Sequence, residues 1–180
     1  MRLIYTIPYF LFYIMLASCQ KSPTEYATNW TNTIKSKIAE DVASTPDKMI
    51  LDTARNELTL WLKGKKLKYF YLRPSFDSLN KIISFDTAAS IYFSTDQKFE
   101  LVKEYCPLSD RSFEGLRNTG SWIGLLEYRF CNGKIKNRNF NFRKDVGPEY
   151  EYDSLGNLVN TIKHGHDALL YDLRSIKYYR

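Results

Sequence analysis

The most compact group of potentially reactive side chains in the sequence is His164-Gly165-His166-Asp167. In an extended segment the two histidines point the same way, and Asp167 could complete a metal site with them. A protein metal site needs a third and usually a fourth ligand, and the sequence contains only 2 His. We therefore interpret the segment as a solvated turn, and we predict neither a metal nor any other cofactor.

A second candidate for chemistry is the pair Glu149 and Glu151, which share one face of a predicted strand. Paired carboxylates support hydrolysis when one of them has a raised pKa and acts as a general acid, but nothing in the sequence supplies such a shift. The sequence also lacks a Gly-x-Ser-x-Gly elbow, a phosphate-binding loop and a His-Glu-x-x-His motif. We predict that the protein is not an enzyme.

The first 20 residues predict export. Met1-Arg2 is a short basic region, and the following residues, 3–20, carry no charge, which is the layout of a secretory signal. The apolar run ends in Leu16-Ala17-Ser18-Cys19, which resembles the lipobox of bacterial lipoproteins. The resemblance implies cleavage of residues 1–18, lipidation of Cys19 and anchoring to the outer membrane on its periplasmic or surface face. The alternative is an uncleaved membrane-spanning anchor, and both interpretations place the rest of the chain outside the cytoplasm.

Two cysteines, Cys106 and Cys131, remain once Cys19 is assigned to the lipid. An even pair in an oxidising compartment can form a disulfide, which would contribute about 3 kcal/mol by constraining the unfolded chain. Two separate buried thiols are the alternative. Neither cysteine has the sequence neighbours of a nucleophile.

Composition and charge limit the class of partner. The 180 residues include 26 Lys+Arg and 20 Asp+Glu, with 44% hydrophobic residues. This composition is typical of one folded domain, predicted over 19–180. The modest basic excess on an exported protein favours an acidic protein partner or anionic lipid headgroups, and we predict no nucleic-acid partner.

Periodicity predicts the elements that position these residues. A stripe of apolar residues recurs every four positions and predicts an amphipathic helix over about 23–44, capped by Ser22 or Thr24. Residues 46–55 fit a short helix or a first strand. From about 57 to 163 the period changes to two, and successive alternating runs are separated by turns that contain Gly, Asn or Asp, which predicts β-hairpins. The fold class is therefore α+β, with an N-terminal helix, an antiparallel β-meander of successive hairpins and a C-terminal segment at 167–180.

The last hairpins carry a family resemblance. The strand Gly120-Ser121-Trp122-Ile123-Gly124, the turn Asn132-Gly133-Lys134 and the turn Asp153-Ser154-Leu155-Gly156-Asn157 resemble MORN-like hairpin repeats. Such repeats occur in bacterial envelope proteins often labelled antitoxin components. The resemblance covers about residues 113–163 and implies stacked hairpins and an antitoxin-type function.

Three functions fit these features. The favoured one is a lipid-anchored, non-catalytic protein that binds another envelope protein, most concretely an immunity protein that neutralises an interbacterial toxin. A structural or carbohydrate-binding module, with Trp61 and Trp122 stacking on sugars, is the alternative, and an envelope enzyme is the third. Binding hot spots are enriched in Tyr, Trp and Arg, and on that basis the predicted partner-binding residues are Tyr128, Arg129, Arg138, Arg143, Tyr150 and Tyr152.

Overall fold

The computed structural model describes residues 22–107, 110–142 and 145–164. This part of the chain contains one α-helix, α1, which spans Pro23–Asp41, and ten β-strands. The strands are β1 Lys48–Asp52, β2 Glu57–Leu62, β3 Lys65–Phe76, β4 Ile82–Phe93, β5 Phe99–Tyr105, β6 Arg111–Asn118, β7 Ser121–Arg129, β8 Ile135–Phe142, β9 Asp145–Tyr152 and β10 Leu158–His164. The predicted signal peptide (1–18), Cys19 and the predicted C-terminal segment (167–180) lie outside the described residues.

The ten strands form one sheet whose spatial order is the order of the sequence. Every neighbouring pair is antiparallel, as in β7 and β8, where Leu125 lies opposite Phe140 and Glu127 opposite Arg138. The predicted α+β arrangement of a helix followed by an antiparallel β-meander is confirmed. Residues 46–55, which the sequence left as a short helix or a first strand, contain the strand β1. It pairs with β2 from Lys48 opposite Trp61 to Asp52 opposite Glu57.

The helix begins at a cap and is fixed to the middle of the sheet. The hydroxyl oxygen of Ser22 accepts the N–H of Glu25 at 3.1 Å, so one of the unpaired donors of the first turn is satisfied. The buried Thr31 hydroxyl donates to the carbonyl of Ala27 at 2.7 Å and accepts the N–H of Leu125 at 2.9 Å. This second hydrogen bond ties α1 directly to the backbone of β7.

The main core lies between α1 and one face of the sheet. Near the helix N-terminus, Ala27 shares an apolar cluster with Val146 of β9. Near its C-terminus, Val42 shares a cluster with Leu67 of β3, so the helix crosses the sheet from β9 toward β3. Each buried Leu, Ile or Phe in these clusters contributes about 1.5–3 kcal/mol relative to an exposed one. A smaller cluster, centred on Phe113, covers part of the opposite face.

Candidate functional site

Two open cavities each include residues of β7 in their lining. The first, which we call the basic cavity, has a volume of about 450 Å³ and is lined by Lys103, Tyr105, Asp110, Arg111, Arg129 and Gly133. The second, the tyrosine cavity, has a volume of about 340 Å³. Its lining residues come from α1 (Thr24, Glu25, Thr28, Asn32), β7 (Leu125, Glu127), β8 (Arg138, Phe140) and β9 (Tyr150, Tyr152).

The antiparallel register of β7, β8 and β9 places lining residues of the tyrosine cavity next to one another. Arg138 lies opposite Glu127 on one side and opposite Tyr150 on the other, because β8 is hydrogen-bonded between β7 and β9. Alternate residues of a strand share a face, so Tyr152 follows Tyr150 on the side that α1 covers. Tyr150 also packs against the Ala27 cluster. The result is an open depression with two tyrosines and one arginine on its wall.

Glu127 connects the two cavities. Its Oε1 lies 2.9 Å from Nη2 of Arg129 and 3.6 Å from Nη2 of Arg138. Arg129 also donates through Nη1 to the carbonyl of Gly133 at 2.9 Å, which fixes its side chain along the basic cavity. One carboxylate therefore positions an arginine in each cavity.

A second carboxylate, Glu114, forms ion pairs with two cations that line the basic cavity and with one on the helix. Its Oε1 lies 2.7 Å from Nζ of Lys35 on the helix, and its Oε2 contacts Arg111 and lies 3.8 Å from Nζ of Lys103. Burial acts to raise the pKa of Glu114, but the three neighbouring cations outweigh burial and hold that pKa below its ordinary value. Glu114 is therefore a buried anion around which three cations are arranged.

A disulfide frames the basic cavity. The structure joins Cys106, which follows β5, to Cys131 in the turn between β7 and β8, with their Cα atoms 5.6 Å apart. The disulfide thus links the two turns that supply Asp110 and Gly133 to the cavity wall. Of the two alternatives left by the sequence, a disulfide or two thiols, the structure contains the disulfide.

The six predicted partner-binding residues fall into four groups. Arg138, Tyr150 and Tyr152 line the tyrosine cavity, and Arg129 lines the basic cavity. Tyr128 is 40% exposed but lies on the opposite face, where its ring centroid is 4.8 Å from that of Phe113. Arg143 lies outside the described residues. The structure therefore brings together four of the six residues and does not place Tyr128 with them.

Sequence reasoning missed four charged residues of this region, which are Lys103, Arg111, Glu114 and Glu127. No local motif in the sequence reports three of them: Lys103 pairs with Glu114 across strands, and Arg111 pairs with Glu114 three residues away in the same strand. The position of Glu127 could have been predicted from the sequence, since it lies two residues from both Leu125 and Arg129 in one strand and therefore shares their face.

The carboxylates considered for catalysis have hydrogen-bonded partners in the structure. Oε2 of Glu149 lies 2.6 Å from Nε2 of His164, and Glu149 also accepts from Asn137. The contact with His164, followed by that with Asn137, lowers the pKa of Glu149, which is the opposite of what a general acid requires. Within the described ranges, no three His, Cys, Asp or Glu side chains are grouped as metal ligands. His166 and Asp167 lie outside those ranges.

The two tryptophans considered for sugar stacking are not exposed platforms. Trp61 is half-buried. Trp122 packs edge-on against Phe113 at a centroid distance of 5.1 Å, and the guanidinium of Arg117 lies 5.4 Å from its ring. Trp122 is therefore used for packing, and the Trp61 ring lies under Nζ of Lys66, which is 5.9 Å from its centroid.

The chain matches no protein-family model and no curated protein. A crystal structure of the S. aureus TarM G117R mutant in complex with fondaparinux, alpha-GlcNAc-glycerol and UDP aligns with 77% of this chain and 25% of its own, at 11% identity and a TM-score of 0.34. A second crystal structure of TarM aligns with 91% of this chain and 26% of its own, at 10% identity and a TM-score of 0.33. This chain spans about a quarter of the length of those structures, and we draw no functional inference from the similarity.

In the part of the chain that the structure describes, no helix is both long and apolar enough to span a membrane.

Proposed function

We propose that the protein is a lipid-anchored, non-catalytic component of the bacterial cell envelope that binds another protein. Its most concrete role is immunity, in which it neutralises a toxin delivered by neighbouring bacteria. The observation that supports this proposal is the tyrosine cavity, where Arg138, Tyr150 and Tyr152 lie together on an open wall. Tyr and Arg side chains of this kind carry most of the binding energy in protein interfaces.

The position of the proposed anchor in the sequence fits this role. In the proposal Cys19 carries the lipid and stands three residues before Ser22, which caps α1. Three residues reach at most roughly 10 Å, and the first turn of α1 supplies Thr24 and Glu25 to the tyrosine cavity. An anchored protein would therefore hold this cavity close to the membrane surface, where an incoming toxin arrives.

The proposal is tested by capture of the partner. The full-length protein with a C-terminal affinity tag is purified in detergent, and the proteins retained from the lysate and the secreted fraction of the producing strain are quantified by mass spectrometry. We expect one protein at near-stoichiometric amount. Expression of that protein is expected to poison cells that lack the lipoprotein.

Two substitutions and a matched control locate the binding face. Tyr152→Ser and Arg138→Gln each remove a wall residue of the tyrosine cavity and are expected to lower the affinity for the captured protein about thirtyfold, the loss typical of a hot-spot residue. Tyr71→Ser replaces a tyrosine that is 45% exposed and lies outside the two cavities. It is expected to leave binding unchanged. If all three variants bind the captured protein with the affinity of the wild type, the partner does not use this cavity.

A further inference from the structure

The basic cavity next to the tyrosine cavity holds more positive than negative charge. Glu114 lies among Lys35, Lys103 and Arg111, and Glu127 lies between Arg129 and Arg138. Both glutamates lie behind the wall, where Asp110 is the carboxylate. The wall of this cavity of about 450 Å³ contains three cations, Lys103, Arg111 and Arg129, and that one carboxylate, which leaves a surplus of two positive charges on the wall.

The cations are positioned by the two glutamates but retain N–H groups without acceptors. Nζ of Lys103 is 3.8 Å from Glu114, beyond hydrogen-bonding distance, and its side chain is 26% exposed. The side chains of Arg111 and Arg129 are 33% and 23% exposed, so part of each guanidinium is accessible from the cavity. The local excess of donors over acceptors matches a ligand that supplies carboxylate oxygens, which only accept hydrogen bonds.

The wall of the cavity is fixed at two points. The Cys106–Cys131 disulfide joins its two turns. Arg129 is fixed by hydrogen bonds to Gly133 and Glu127, at 2.9 Å each. Because the donors are positioned in advance, a ligand does not have to order them on binding.

We propose that the basic cavity binds carboxylate side chains of an acidic segment in the partner protein; this assignment rests on the proposed function. Glu127 joins the basic and tyrosine cavities, so one partner can place aromatic contacts in the tyrosine cavity and an acidic segment in the basic cavity. The surplus of two positive charges is balanced by two carboxylates. Electrostatic complementarity of this kind accelerates association and selects the partner.

The test uses a capped, fluorescently labelled hexaglutamate peptide, titrated into the full-length protein in detergent and followed by fluorescence anisotropy. We expect saturable binding that weakens as the salt concentration rises. Lys103→Met and Arg129→Gln each remove one cation from the wall and are expected to weaken binding about tenfold or more. Lys103→Met leaves Glu114 with Lys35 and Arg111, so the fold is retained, and thermal unfolding of each variant verifies this.

Lys81→Met is the charge-matched control, since Lys81 is an exposed lysine in the turn between β3 and β4. An equal loss of binding in Lys81→Met would show that the peptide responds only to net charge and would overturn the proposal. Absence of saturable binding would also overturn it. Displacement of the peptide by inorganic phosphate at equal concentration would assign the cavity to small oxyanions instead of an acidic protein segment.

These outcomes are independent of the capture experiment. If the Tyr152→Ser and Arg138→Gln variants lose the partner while the peptide does not bind, the proposed function stands and the acidic-segment assignment fails. If the peptide binds as expected and no protein is captured, the assignment of the cavity chemistry stands and the proposed function fails.

Discussion

The buried ion pair between Lys35 and Glu114 offers the sharpest test of how the helix is held on the sheet. Their charged atoms are 2.7 Å apart, and their side chains are only 10% and 11% exposed. The perturbation is Glu114→Gln, which keeps the shape of the side chain and an oxygen acceptor but removes the negative charge. Lys35 would then be a buried cation without its counter-ion.

Removing one partner of a buried ion pair typically costs about 3–5 kcal/mol, because the remaining charge stays desolvated. Glutamine still accepts a hydrogen bond, so we expect a loss at the lower end, about 3 kcal/mol of the free energy of unfolding. The double substitution Lys35→Met with Glu114→Gln should cost less than the two single substitutions combined, by about 1 kcal/mol or more.

The assay is urea unfolding followed by tryptophan fluorescence, repeated between neutral and acidic pH. The pKa of Glu114 is below its ordinary value of 4.5 in the folded protein. Its contribution to stability is therefore complete above pH 4.5 and is lost as the pH falls through the lowered pKa. The difference in stability between the wild type and Glu114→Gln should accordingly shrink below pH 4.5.

The matched control is Glu100→Gln, which breaks the contact of 2.6 Å between Glu100 and Arg117, whose side chains are 23% and 27% exposed. A more exposed pair contributes little, and we expect a cost below about 1 kcal/mol. If Glu114→Gln costs no more than Glu100→Gln, or if its effect does not depend on pH, the role assigned to the buried pair is wrong.

Two further predictions concern the disulfide and the close approach of the helix to the sheet. Replacing Cys106 and Cys131 together by Ser should lower the free energy of unfolding by about 3 kcal/mol; an unchanged urea midpoint in the presence and absence of reductant would contradict the disulfide. Gly124→Ala would place a Cβ 2.3 Å from Oγ1 of Thr31 at a backbone φ of +70°. A left-handed conformation by itself costs a non-glycine residue about 1–2 kcal/mol. Thermal unfolding of this variant should show a loss of stability clearly larger than that. Gly120→Ala is its control, because its φ is +83° but no atom lies within 4 Å of the added Cβ; equal losses in both variants would contradict the close approach of helix and sheet.

The hairpins were predictable where apolar residues recur at every second position, as Leu58, Leu60 and Leu62 do in β2. Strand β6 carries no such alternation, because both of its faces are covered. Phe113 belongs to the cluster on the far face, Leu116 to the core under the helix, and Glu114 is buried by its ion pairs. A strand covered on both sides shows no alternation of polar and apolar residues.

The candidate site was predictable only in part for a similar reason. The sequence indicated Arg138, Tyr150 and Tyr152, and the antiparallel register brings them to one cavity. Tyr128 and Arg129 are adjacent in one strand and therefore point to opposite faces, so they could not both line the same surface. The ion pairs of Glu114 depend on the packing of α1 across the sheet, which periodicity alone does not specify.

The most direct test of the central claim is survival in co-culture. A strain that lacks this protein is complemented with the wild type, Tyr152→Ser or Tyr71→Ser, and each is grown against the parent strain with survivors counted. We predict that the wild type and Tyr71→Ser restore survival, and that the uncomplemented strain and Tyr152→Ser are killed. Equal survival of all four strains would contradict an immunity role that acts through the tyrosine cavity.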